Sequence, residues 1–359
     1  MNKLIGHVVG SKSISCQCIS FGSTVDELTN VSSAPDRWIL PGILDLHNHG
    51  GGGGDVMDGE SGIRQLAKTH AAFGMTGFLA TTVTAEDDAI DRAIEAVNQV
   101  MFSRKSDEAK CLGVHLEGPY LSAFKLGAQP PKTRLVDAAK AAAWFKTGIV
   151  RVMTYAPEQD PDQVLPALAQ RYDVRLQLGH TGCPYHLAES LLEAGVGITH
   201  LFNAMSGVHH RDPGVALAAL NRADYAEIIC DGVHVDPAAF HLARRMINQL
   251  YSVTDATAAS GMPDGSYRLG SHEVEKVGCY VRLADGTLAG SAATAEGTVS
   301  NLLALGLDWL EISDFVSKRP ASWIGYERGG EIRLGAPADF SVFSKDGLES
   351  VWIDGEQIR

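Results

Sequence analysis

A chain of 359 residues with 45% hydrophobic content can bury one large core or two ordinary ones. Its 43 acidic against 30 basic residues give a net charge of -13 without a long Lys/Arg cluster, which argues against nucleic acid or an anionic membrane surface as a partner. No apolar run reaches the roughly 18 residues of a membrane span, and "MNKLIGHVV" is too short and too interrupted for a secretory leader, so a cytoplasmic protein is expected.

Residues 1 to 38 carry β-type alternation and no long helical pattern, with Cys16 and Cys18 at alternate positions of one strand. From residue 39, eight apolar and β-branched runs alternate with helical patterns: "ILPGILDLH" (39–47), "TGFLATTV" (76–83), "KCLGVHLEG" (110–118), "VRVMTYAPE" (150–158), "DVRLQLGHT" (173–181), "VGITHLFNAM" (196–205), "AEIICDGVH" (226–234) and "YSVTDATAA" (251–259). Helical periodicity covers segments such as 63–73, 87–103, 161–171, 185–194 and 237–250. Eight βα units predict an α/β fold, a (β/α)8 TIM barrel over 39–330. The residues 331–359 return to β alternation, so both termini are expected to pair as one small β-sandwich domain. The six cysteines, including Cys111, Cys183, Cys230 and Cys279, show no zinc-knuckle spacing and read as reduced thiols.

A (β/α)8 barrel works at the C-terminal ends of its strands. There the runs carry His47 and His49, Glu117, His180, His200 with Asn203, Asp231 with His234, and Asp255. Alternate strand residues share a face, so His47 and His49 can converge on one ion; the alternative is a histidine pair in a mobile loop of five glycines, Gly50 to Gly54. Imidazoles with a carboxylate suit zinc or iron(II). Asp255, among small residues, is placed as a general base beside an acidified water, or else serves as a helix cap. Arg211 in "VHHRDPG" and His234 are the cations for a phosphate pocket, although "HHRD" also reads as a solvated loop. His115, two residues before Glu117, either supports that ligand or fills the core.

The ordered set "PGILDLHNHG", "HLEGPYLS", "LGHT", "THLFNAMSGVHHRDPG", "DGVHVDP", "TDATAASGMPDG" and "LAGSAAT" closely resembles the N-acetylglucosamine-6-phosphate deacetylase family of the amidohydrolase superfamily. The resemblance implies a metal-dependent hydrolase that frees acetate from a phosphosugar, with one or two divalent ions per subunit in a homodimer. It places Glu117, His180 and His200 on the main ion, with His47 and His49 marking the two-ion kind, and Asp255 as general base and acid. It puts Asn203, Ala204, Asp231, His234, Ala128, Gln129, Leu288, Ala289 and Gly290 around the substrate, with Arg211 reaching the neighbouring subunit's site. Gln129 stands where some relatives have a histidine that polarises the acetamide carbonyl, a departure that a second ion would make tolerable.

The galactosamine epimer is an alternative substrate. Hydantoinase and dihydroorotase chemistry, which resembles this family but needs a modified lysine from the fourth strand, is excluded by "VRVMTYAPE". A non-catalytic phosphosugar-binding barrel and a metal-free glycosidase are weaker rivals, the first because base and ligands are present, the second because it gives the histidines no role.

Overall fold

A computed structural model describes residues 1–359. Eight parallel strands form the central sheet in sequence order: β1 (Ile43–Asn48), β2 (Met75–Thr82), β3 (Lys110–Glu117), β4 (Val150–Tyr155), β5 (Arg175–Leu178), β6 (Gly197–Ile198), β7 (Tyr225–Ile229) and β8 (Gln249–Val253). Every residue of β1 and β2 is buried, as expected of parallel strands covered on both faces. Just past the strand ends the sheet closes on itself: Asp255 N–H donates to the His47 carbonyl at 2.9 Å and His49 N–H to that of Ala256 at 2.8 Å. The helices Glu60–Ala72, Asp87–Met101, Val164–Tyr172, Tyr185–Glu193 and Pro237–Met246 fall on the expected periodic segments.

Inside the barrel Leu46, Leu79, Val152, Ile229, Tyr251 and Val253 pack with Trp323 and Ile324. The carbonyls of Trp323 and Ile324 take hydrogen bonds from Arg175 and Arg151, near the starts of β5 and β4, so this apolar plug fills the N-terminal end. The polar site is left to the other end. No helix is long and apolar enough to cross a membrane.

The termini build a separate seven-stranded sheet, in which Arg37–Pro41 pairs in parallel with Asn2–Val9 and antiparallel with Phe340–Ser344. Phe21 meets both Phe340 and Trp352 edge-on at 5.2 Å, although three strands separate it from the strand of Trp352. The sheet therefore curls over a core of its own, Leu4, Val8, Ile19, Phe21, Val25, Ile39, Ile332, Ala338, Phe340 and Val342. One expected run is divided: residues 39–41 belong to this sheet, and the barrel begins only after Gly42, where any Cβ would meet Thr76 Oγ1 at 2.1 Å. An unforeseen antiparallel sheet, Gly265–Leu269, His272–Val277 and Tyr280–Arg282, follows β8. Its Leu269, Val274 and Val281 pack on Val83, Ala128 and Ala289 and make one wall of the site.

Candidate metal centre and active site

Each strand-end side chain is set by a short extension of its strand. Glu117 is the last residue of β3, and His180, His200 and Asp255 each lie two residues past the ends of β5, β6 and β8. Those three take positive φ values of 49°, 26° and 49°, a conformation that strains residues other than glycine by about 1–3 kcal/mol each and that concentrates at functional sites. The turn they make brings together groups far apart in the chain. His180 Nε2 and His200 Nε2 stand 3.1 Å apart and 3.1 and 3.0 Å from Glu117 Oε1.

A second set abuts the first. His47 Nε2 and His49 Nε2 are 3.2 Å apart, and Asp255 Oδ1 lies 3.4 and 3.3 Å from them. Glu117 serves both sets, since its Oε1 is 3.5 Å from His47 and its Oε2 3.2 Å from His49. The outer ring nitrogens fix where the protons are. His180 Nδ1 donates to the Lys125 carbonyl at 2.8 Å, His49 Nδ1 to that of Thr81 at 3.1 Å, and His47 Nδ1 to Glu227 Oε2 at 2.9 Å. The Nε2 lone pairs of these three rings therefore face inward, towards one another and towards carboxylate oxygens, an arrangement that repels itself unless a cation lies among them. Ligands about 2.0–2.1 Å from a tetrahedral ion stand roughly 3.3–3.4 Å apart, a value bracketed by the 3.0–3.5 Å spacings here. The residues fit a divalent cation.

Protons show the same demand for positive charge. Burial disfavours a charged ring at His49, yet Asp255 and Glu117 raise it to about 9, and His47 is likewise raised by Glu117, Asp255 and Glu227 against its burial. Burial would push the carboxyl of Glu117 up, but His47 and His180 draw it well below its ordinary value. A bound cation displaces such protons.

A cavity of about 270 Å³ opens on this cluster. Its wall includes His49, Glu117, His180, His200 and Asp255, together with Ala128, Gln129, Asn203, Ala204, His234, Leu288 and Gly290 from the expected set. Thr84 N–H donates to Gln129 Oε1 at 2.8 Å, so the Gln129 amide nitrogen is turned to Glu117 and donates to it. His47 is buried behind His49. Asp231 is not on the wall but behind it, where its Oδ2 accepts from His234 Nδ1 at 2.6 Å and holds that ring. Ala289 is fully buried outside the wall, and Arg211 lies on an exposed loop and does not line the cavity.

Three further wall residues, Gly127, Leu269 and Thr287, had no polar or apolar pattern to mark them. Glu227 in the middle of β7 was also missed; an acid inside the apolar run "AEII" was the available signal. His115 turns out to be neutral and packed against His47, ring centres 4.6 Å apart, with Nδ1 donating to the Leu46 carbonyl and Thr154 Oγ1 donating to Nε2. Burial, aided by His47, lowers it to about 4. The glycine run is no mobile loop: a Cβ at Gly50 would meet Gly54 O at 2.5 Å and Ala258 N at 2.6 Å, and one at Gly51 would meet His70 Nε2 at 2.6 Å.

A closed parallel barrel with histidines and acids gathered at the C-terminal rim places the protein among (β/α)8 enzymes with residues suited to a metal ion. The chain belongs to the amidohydrolase family, whose model matches residues 38–358. It is 34% identical over 328 residues to N-acetylglucosamine-6-phosphate deacetylase of Bacillus subtilis (strain 168), covering 88% of this chain and 83% of that protein. It is 35% identical over 340 residues to N-acetylgalactosamine-6-phosphate deacetylase of Escherichia coli O157:H7, covering 91% and 89%. Among solved structures it is similar to a variant of the Mycobacterium smegmatis N-acetyl-D-glucosamine-6-phosphate deacetylase in complex with N-acetyl-D-glucosamine-6-phosphate, at a TM-score of 0.91 and 30% identity over 99% of this chain and 98% of that one. The barrel, the terminal sheet and the family resemblance are thus borne out.

Proposed function

We propose that this protein hydrolyses the acetamide of N-acetylglucosamine 6-phosphate to glucosamine 6-phosphate and acetate, in amino-sugar breakdown. The observation that carries the reading is Asp255, whose Oδ1 sits within 3.4 Å of both His47 and His49 while the residue faces the cavity. Glu117, His180 and His200 would hold the main ion and His47 and His49 a second, zinc or iron(II) in each case, so that a subunit carries one or two. Such an ion supplies a Lewis acid for the acetamide carbonyl and makes a water easier to deprotonate. Asp255 takes the proton of the attacking water and returns it to the sugar nitrogen as the C–N bond breaks.

His234, steadied by Asp231, presents its ring to the cavity and, with the backbone at Asn203 and Ala204, orients the phosphosugar. Burial opposes its charging, but Asp231 raises it above an ordinary histidine, which suits an anion. Ala128, Gln129, Leu288 and Gly290 line the remainder, around the acetamide and sugar ring. A single subunit offers few cations there. Arg211 on its exposed loop would complete the phosphate site of a second copy, which makes the working form a homodimer. Six free cysteines accord with a cytoplasmic location.

The similarity to the Escherichia coli protein favours a second reading, deacetylation of the galactosamine epimer, which differs in one hydroxyl orientation. The test is acetate release by the metal-loaded protein from both 6-phosphorylated sugars and from unphosphorylated N-acetylglucosamine. Turnover of the glucosamine compound at least tenfold above the other two is expected. A galactosamine preference would install the second reading, and equal rates without the phosphate would remove the role of Arg211 and His234.

A further inference from the structure

Glu227 lies wholly inside the barrel and touches both ligand sets. Its Oε2 accepts from His47 Nδ1 at 2.9 Å and from the backbone N–H of His200 at 3.2 Å. Its Oε1 accepts from the Tyr251 hydroxyl at 3.3 Å, and that hydroxyl is itself held by Gln177 Nε2 at 3.0 Å. The carboxylate therefore does two things to His47. It keeps the proton on Nδ1, which leaves the Nε2 lone pair for an ion, and it makes the ring a stronger donor.

It also changes the charge of the whole cluster. Glu117, Asp255 and Glu227 are buried together, and the ion-pair partners of all three are histidines, with no lysine or arginine among them. One divalent ion falls short of three carboxylates; two are enough. Uncompensated buried charge is expensive, so the third acid favours the doubly loaded state. We infer that Glu227 is a positioning residue that governs loading of the His47/His49 side of the centre. This rests on the two-ion reading above.

The full-length wild type, Glu227→Gln and Glu227→Asp are loaded with zinc, dialysed against buffers of graded free zinc, and their bound zinc counted, with thermal melts to verify folding. Parallel manganese(II) samples are read by electron paramagnetic resonance. The wild type is expected to take two ions. Glu227→Gln keeps the shape but not the charge; it should hold the first ion unchanged and bind the second roughly 10–100-fold more weakly. Its manganese signal should pass from that of a coupled pair to that of an isolated ion. Glu227→Asp should weaken the second ion less, and it carries the comparison if the glutamine variant does not fold. Second-ion affinity equal to wild type in the folded variants overturns the inference alone. A wild type that takes only one ion overturns the two-ion reading, and this inference with it.

Discussion

His70 shows how a single buried group couples this fold to pH without taking part in the chemistry. Its Nε2 donates to the Gly50 carbonyl at 3.0 Å, its Nδ1 has no partner, and burial lowers it to about 4. The unfolded chain, with an ordinary histidine near 6.5, binds the proton more readily than the folded one. The stabilisation is therefore complete above pH 6.5, falls as the pH drops from there to about 4, and changes no further below. The loss across that window is on the order of 3 kcal/mol. His70→Gln keeps a donor for Gly50 and removes the titration, so the stability of the variant in urea unfolding should fall by about 3 kcal/mol less than that of the wild type between pH 6.5 and 4; equal losses would contradict this role.

At the same scale, the ligands were readable because each is a polar residue closing an apolar run, as in "LDLHNH", "VHLEG" and "LGHT". Glu227 was not singled out because its partner His47 lies 180 positions away and a lone acid in a strand has no pattern of its own. The resemblance puts Asp231 around the substrate, whereas it lies behind the wall and holds His234; strand-end position alone does not distinguish the two roles.

At the scale of elements, the run Gly50–Gly54 shows glycine used for close packing. These residues form a small two-stranded turn against helix Glu60–Ala72 and the segment after β8. Gly52 has φ +64°, and a Cβ there would meet Thr69 Oγ1 at 2.0 Å; at Gly53, with φ +87°, the nearest atom is Met262 Cε at 3.8 Å. Gly53→Ala should cost only the left-handed strain of about 1–2 kcal/mol, whereas Gly52→Ala adds the clash, for roughly 2–4 kcal/mol. Equal losses in urea unfolding would mean that the turn is loose. The sequence displayed the glycines but not their neighbours, and so both a sharp turn and a mobile loop were compatible with it. In the same way, apolar continuity from Ile39 to His47 concealed the change of sheet at Gly42, which depends on pairing with the far terminus.

For the whole molecule, period and order were enough to read the barrel, because βα alternation leaves few other closed arrangements. The antiparallel sheet after β8 was overlooked among helical units, although Gly270 and Gly278 at its turns, both with positive φ, were visible as glycines. What the architecture accomplishes is to separate an apolar plug at one end from a cation-demanding rim at the other. The most direct measurement is anomalous diffraction at the zinc absorption edge from crystals of the zinc-loaded protein. A peak about 2.0–2.2 Å from Glu117 Oε1, His180 Nε2 and His200 Nε2 is the expected result, with a second beside His47 and His49. Catalytically active crystals with no peak among those atoms would contradict the metal centre.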